Sequence, residues 1–390
     1  MKLWVRNFLF NITYTALAII AFAVALPVLV LLSFKKKYRS SIPARFFGIK
    51  NPPFLPHDIW FHVCSLGEAK ALKPVIDRVS DYNIAITTIT HTGFSEASRY
   101  MAQVRYLPYE MWLYFWVERP KVLVVLEAEF WYLLFKIVKS RGAKVVLLNA
   151  RISQKSFSKY YKMRWFYTLI FAKCDKIFVQ SEDDRVRFES IGAKNIEVIG
   201  NIKLAQEIKK TKEYTKPSEL VVVAASTHEG EEQLILDAFV EFYKSHSEAK
   251  LIVVPRHPER FDRVYEMIKK SSLSYSRWSE SRDFGSTITL VDAMGELNNI
   301  YAISDIAILG GAFASIGGHN PLEPATFGCK IISGEHNFLQ LELFKYVENI
   351  QIIKNSEILA SLESALILPP SRINGSVDLD RATNYIKELL

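Results

Sequence analysis

The sequence predicts an α/β protein: two doubly wound, Rossmann-like domains behind an apolar, membrane-anchoring N-terminal helix. Three observations predict it. Short apolar runs rich in β-branched residues alternate with helix-patterned segments. That alternation stops in a charged stretch and then starts again. Ahead of it all, no residue from Asn7 to Phe34 is charged, and a run of that length can span hydrocarbon as a helix.

The apolar run is too long for the core of a signal peptide, and "KKKYR" follows it at once. Lys35, Lys36, Lys37 and Arg39 outnumber Lys2 and Arg6, so the positive-inside rule places the C-terminal side in the cytoplasm. The rival arrangement is a helix lying in the membrane interface. Uniform apolarity, with no charged face, argues against it.

The first strand set comprises 58–66, 82–90, 121–129, 143–150, 176–181 and 196–201. Between the first two, Leu72, Val75, Ile76 and Val79 recur at helical spacing. The stretch 203–220 is charged, has little apolar content and reads as a linker. The second set comprises 220–226, 249–256, 287–293, 305–311 and 329–334, with an amphipathic helix over 229–245 that places Ile235, Phe239 and Phe242 on one face. The expected division is an anchor at 1–35, a first domain at 36–204, a linker at 205–218, a second domain at 219–375 and a C-terminal helix at 376–390. In such folds ligands bind at the carboxyl ends of the strands, here in a cleft expected between the domains.

The 390 residues, 49% hydrophobic and 23% charged, exclude a disordered chain. A net charge of +8 suits an anionic partner: nucleic acid, an acidic membrane surface or a phosphorylated substrate. Nucleic acid is disfavoured, because no Arg/Lys stripe with interleaved aromatics is present. Cys64, Cys174 and Cys329 are far apart, without metal spacing, and read as free thiols in a reducing compartment. Neither a phosphate-binding GxxxxGK[ST] loop nor an HExxH pattern occurs, so no metal cofactor is expected.

The strand ends carry the candidate chemistry. Gly67-Glu68 opens a helix; Glu68 either favours the helix dipole or acts as a general base in a cleft. Glu127 and Glu129 follow the third strand of the first set. Two carboxylates on one strand face would repel, so they are expected to diverge past the strand end. Lys203, in "GNIK", is either a solvated surface lysine or a partner for a phosphate. In the second domain "ASTHEGEEQ" reads as an N-cap followed by acids in a first helical turn. Arg256 ends a strand, flanked by His257 and Arg260, and suits a phosphate or carboxylate. The stretch "LGGAFASIGGHNPLEPATFG" (309–328) combines five glycines with one glutamate, Glu323. It is either a turn-rich connection or a loop whose N–H groups cradle a phosphate beside a helix start.

"WFHVCSLGEAKA", "TTITHTGFSEAS", "YLPYE", "KVLVVLEAEFW", "LNARIS", "QSEDDRVRFESIGA", "GNIK", "ASTHEGEE", "PRHPERF", "MGEL" and "GGAFASIGGHNPLEPATFG" occur in the order found in bacterial Kdo transferases. These enzymes add 3-deoxy-D-manno-oct-2-ulosonic acid (Kdo) to the lipid A precursor. The resemblance runs from the anchor to about residue 340. It implies a GT-B architecture, with an acceptor domain followed by a donor domain. It also implies an inverting, metal-free reaction with CMP-Kdo as donor and the lipid A precursor (lipid IVA) in the inner membrane as acceptor. By resemblance Glu68 matches the general base, and Glu127 and Lys203 match transition-state stabilisers. Pro255, Arg256, Met294, Gly295, Glu296, Asn320, Pro321, Leu322 and Glu323 match the CMP-binding segments. Two positions depart from the family pattern, His91 in "THTG" and Tyr132 in "EFWY", each standing where proline is usual. Both are expected to alter loop shape in the acceptor domain.

Overall fold

The structure is a computed structural model that describes residues 2–390; Met1, part of the expected anchor, lies outside the described residues. The chain divides into two compact units, residues 1–206 with 376–390, and residues 207–375.

The first unit holds a seven-stranded sheet, all parallel. Its strands are β1 (Ile59–His62), β2 (Ile84–Thr88), β3 (Gln103–Tyr106), β4 (Val122–Leu126), β5 (Lys144–Ala150), β6 (Lys176–Val179) and β7 (Ile196–Val198), in the order 3-2-1-4-5-6-7. β4, "VLVVL", is buried along its whole length. Alternate residues serve opposite faces: Leu123 and Val125 join one apolar cluster with Trp60 and Phe135, while Val122, Val124 and Leu126 join another with Leu72 and Val75. This two-sided burial is why the strands read as continuous apolar runs. β3 escaped that reading because "QVRY", at the sheet edge, is apolar at only alternate positions. The helix Leu379–Glu388 adds Leu379, Ala382 and Ile386 to the second cluster.

The second unit holds another parallel seven-stranded sheet. β8 (Val221–Thr227), β9 (Lys250–Pro255), β10 (Tyr275–Arg277), β11 (Ile288–Leu290), β12 (Ile306–Leu309) and β13 (Lys330–Gly334) are joined by β15 (Ile350–Ile353), in the order 10-11-9-8-12-13-15. β14 (Val347–Glu348) forms a separate antiparallel pair with β16 (Arg372–Ile373). The expected amphipathic helix is present at Glu231–Tyr243, with Ile235, Phe239 and Phe242 in the core. The charged stretch expected as a linker is pinned to this unit. Thr211 N donates to Asn299 Oδ1 at 2.7 Å, Tyr214 OH to Glu296 at 2.7 Å, and Lys216 Nζ reaches Asp305 at 2.6 Å.

The N-terminal helix α1 (Lys2–Ser33) is about 48 Å long at 1.5 Å per residue. Its Phe10–Ser33 portion is long and apolar enough to cross a membrane. One stripe of α1 nevertheless lies on the first unit. Tyr132 OH donates to Asn11 at 2.6 Å, Tyr14 OH to Glu110 at 2.6 Å, and Tyr109 OH to the Ala18 carbonyl at 2.9 Å. Phe22 packs among Phe46, Tyr109 and Trp112. The opposite face leaves Leu17, Ile20, Val24, Val28 and Leu31 exposed.

Both departures from the family pattern find a place here. Tyr132 fastens α1 through Asn11 and packs against Phe10 and Tyr14. His91 is the first residue of a helix whose N-cap, Thr90, accepts from Gly93 N, and that first position is one proline also suits.

Candidate active site

In each sheet the strand order reverses next to the first strand, between β1 and β4 and between β8 and β12. The loops after those strands carry Glu68, Glu127 and residues 320–323, where doubly wound folds bind ligands.

After β1 the chain turns into α2 (Leu66–Arg78), with Ser65 as N-cap. Ser65 Oγ accepts from Glu68 N at 3.3 Å and donates to Glu68 Oε1 at 2.9 Å, while Glu68 Oε2 accepts from Cys64 N at 2.8 Å. The carboxylate is thereby fixed in the first turn and 8% exposed. Burial pushes its pKa up to about 7, and Glu127 adds to the rise; the Cys64 N–H and Ser65 hydroxyl oppose it. Helix-dipole stabilisation and burial act in opposite directions here, and burial wins. A carboxylate poised near neutrality suits a general base.

Glu127 follows β4 in the left-handed region, φ +54°, a conformation that costs a non-glycine residue roughly 1–3 kcal/mol. Its Oε1 lies 2.8 Å from Lys203 Nζ, an ion pair off hydrogen-bond alignment, and its Oε2 accepts from Arg151 Nε at 3.2 Å. The two acids after β4 diverge as expected. Glu129 turns to Trp131 Nε1, at 2.9 Å, and to the buried His62, at 3.9 Å. Lys203 sits in a 3-10 turn, its N–H held by Asn201 Oδ1 at 3.0 Å. The approach to that turn needs glycine: a Cβ on Gly200, φ +87°, would meet the Ser376 carbonyl at 2.1 Å. Glu127, Lys203 and Arg151 thus form one ion-paired group in the first unit, and Glu127 acts on Glu68 electrostatically. Arg151, inside the quoted "LNARIS", was not singled out in the sequence; its place just after β5 was the available signal.

In the second unit Pro255 ends β9, and Arg256 N donates to the Thr227 carbonyl at 3.0 Å, its side chain exposed. Met294 is exposed, and Gly295 turns the chain at φ +87°. Glu296 is buried, its carboxylate taken up by Lys212, Tyr214 OH at 2.7 Å and Asn299 Nδ2 at 2.8 Å. Asn320 Oδ1 accepts from Leu322 N at 3.0 Å, which starts the helix Leu322–Thr326, with Pro321 and Leu322 buried and Glu323 in its first turn.

The organiser of the glycine-rich loop is Glu231, read in the sequence only as an acid in a first helical turn. It is fully buried, and its carboxylate accepts four backbone N–H groups. These are His228 at 2.9 Å, Gly311 at 2.7 Å, Phe313 at 3.0 Å and Ala314 at 3.0 Å. Gly310 passes so close to β8 that a Cβ would meet the Ser226 carbonyl at 2.5 Å. Across the loop His228 Nε2 lies 2.9 Å from His319 Nε2, a pair no sequence pattern announced.

The family model described as 3-deoxy-D-manno-octulosonic-acid transferase (kdotransferase) matches residues 39–206. A 3-deoxy-D-manno-octulosonic acid transferase of Haemophilus influenzae is 31% identical, over 97% of this chain and 94% of that protein. Among solved structures, the C-terminal CMP-Kdo binding domain of WaaA from Acinetobacter baumannii is 30% identical, covering 44% of this chain and 86% of that one, with a TM-score of 0.35. UDP-GlcNAc 2-epimerase from Neisseria meningitidis is 12% identical over 85% of this chain and 99% of that one; its TM-score of 0.53 marks a shared fold, the GT-B architecture.

Proposed function

The chain belongs to the 3-deoxy-D-manno-octulosonic acid transferases, which makes it a glycosyltransferase, and from that premise we propose that it moves Kdo from CMP-Kdo to the lipid A precursor, lipid IVA, in lipopolysaccharide synthesis. The observation that carries the mechanism is Glu68: a buried carboxylate, oriented by Ser65 and Cys64 N–H, with its pKa raised to about 7.

In the proposed reaction Glu68 takes the proton of the acceptor hydroxyl as that oxygen attacks the anomeric carbon of the donor. The bond from that carbon to the phosphate oxygen breaks, and its electron pair leaves with CMP. Attack and departure on opposite faces invert the anomeric centre. Lys203 and Arg151 pair with the Glu127 carboxylate and orient its charge toward the oxocarbenium-like centre. CMP lies against Pro255, Arg256, the 294–296 turn and the 320–323 helix start. Glu296, whose carboxylate is already taken up, contributes through its backbone. The single phosphate of the donor is met by Arg256 and backbone N–H groups, and no metal is required.

The acceptor is acylated and phosphorylated, which suits a chain of net charge +8 carrying an apolar helix. We place the protein at the inner membrane, with both units on the cytoplasmic side beyond Lys35, Lys36 and Lys37. Nucleic acid is no partner in this reading.

The test is a mass spectrum of tetra-acylated lipid A precursor after incubation with the detergent-solubilised protein and freshly generated CMP-Kdo. A gain of one or more Kdo units is expected. An unchanged acceptor beside folded protein, or equal turnover with UDP-sugars, overturns the proposal.

A further inference from the structure

His228 follows β8 and His319 follows β12, on either side of the strand-order reversal. Their rings are parallel within 10°, and their Nε2 atoms stand 2.9 Å apart. A contact that short needs a proton on one nitrogen and a lone pair on the other. The Ser226 backbone favours a proton on the His319 ring. Placing that proton on Nδ1 leaves His319 Nε2 as acceptor and His228 Nε2 as donor. Burial lowers the basicity of both rings and so favours the neutral pair.

The pair is held rigidly. Glu231 fixes the His228 backbone and the loop on which the His319 ring packs, and a Cβ on Gly311 would approach that ring to 3.1 Å. Arg256 lies close enough to depress the basicity of both imidazoles and makes no ion pair among the described residues. His257 meets His228 edge-on at 5.3 Å. The acids facing the pair are Glu231, whose oxygens carry four N–H groups, and Glu232, bound bidentately by Arg260 at 2.6 and 3.0 Å. Burial, then the neighbouring imidazole and Arg256, hold the His319 pKa down to about 4, and burial lowers His228 as well. The third imidazole, His257, has its own carboxylate in Glu259 at 3.8 Å, whereas His228, His319 and Arg256 make no ion pair among the described residues.

We propose that His228 and His319 form a proton-linked subsite for the phosphate of a nucleoside monophosphate. An entering phosphate oxygen takes the hydrogen bond of His228 Nε2–H, breaking the imidazole pair. One proton from solvent then fills His319 Nε2, and both rings, with Arg256, donate to the dianion. The proposal rests on the CMP-Kdo reading and deepens it. When the donor bond breaks and its electron pair moves onto the phosphate, the added charge meets a donor already in place.

The experiment is calorimetric titration of CMP, and separately of cytidine, into the detergent-solubilised full chain at pH 7.5. It uses two phosphate-free buffers of different protonation enthalpy. At that pH the phosphate, with a second pKa near 6, is already a dianion, so it supplies no proton. CMP is expected to bind with uptake of about one proton, and its affinity to fall by up to about tenfold per pH unit above neutrality. His228→Gln and His319→Gln are expected to weaken CMP by at least about tenfold, abolish the uptake and leave cytidine affinity unchanged. CMP binding to the unaltered protein without proton uptake overturns the subsite, and that arm needs no variant to fold. Folded variants that keep both affinity and uptake overturn it too. If the unaltered protein binds neither ligand, the donor reading itself fails, and the subsite with it.

Discussion

Lys203 Nζ lies 2.8 Å from Glu127 Oε1, and Arg151 holds the other carboxylate oxygen, so Glu127 is clasped by two cations. The negative charge of Glu127 helps to raise the Glu68 pKa, and removing a cation from Glu127 leaves that charge less compensated. Lys203→Met is therefore expected to move the acid limb of the pH–rate profile upward, by on the order of one pH unit, while lowering the maximum rate. Arg151→Met should do the same more weakly, since its contact is longer. A profile unmoved in both variants would show that the clasp does not govern Glu68.

Glu68 itself sets a pH dependence. As base it must be deprotonated, so turnover should rise through about pH 7 and level off above it. Stability runs the other way. The folded pKa lies above the unfolded carboxyl value, so the folded state holds the extra proton, and stability is lost as pH rises from the ordinary range through about 7. Glu68→Gln, which stays neutral, should therefore be more stable than the unaltered protein at pH 8, by about 1–3 kcal/mol, and no more stable at pH 4. Thermal unfolding at the two pH values checks the sign.

Glu231 carries four backbone N–H groups on one buried carboxylate. Glu231→Ala leaves them unpaired and should cost about 3–5 kcal/mol in denaturant unfolding, with loss of CMP binding. Glu323→Ala, at the half-buried first turn of the helix Leu322–Thr326, should instead weaken CMP by about tenfold with little change in unfolding. Equal effects of the two substitutions on stability would remove the distinction between scaffold and ligand contact.

The stripe of α1 that lies on the first unit covers Phe46, Tyr109, Trp112, Tyr132 and Phe166. Deleting residues 2–33 would expose that aromatic surface and leave Glu110 without its Tyr14 partner. The shortened chain is expected to keep its need for detergent and to float with vesicles. A monodisperse, detergent-free truncation would show that α1 is a detachable anchor.

How much of this was legible in the sequence follows from what each residue does. β4 and β8 stood out because strands buried on both faces must be apolar throughout, whereas β3 and β10, at sheet edges, are half polar and carried no such mark. Glu68 was visible because it opens a helix just after a strand. Whether dipole or burial would prevail was not, since that depends on Glu127 and on packing remote in sequence. Glu231 and the His228–His319 pair were hidden for the same reason: their partners lie 80 to 91 residues away. Tyr132, expected to change a loop, instead fastens α1, a contact 121 residues distant.

The most direct test of the account is turnover of CMP-Kdo with lipid IVA by Glu68→Gln, measured beside its CMP affinity. Turnover is expected to fall at least about a hundredfold, with CMP affinity unchanged and the protein folded. Turnover close to that of the unaltered protein would remove Glu68 as the base and, with it, the proposed mechanism.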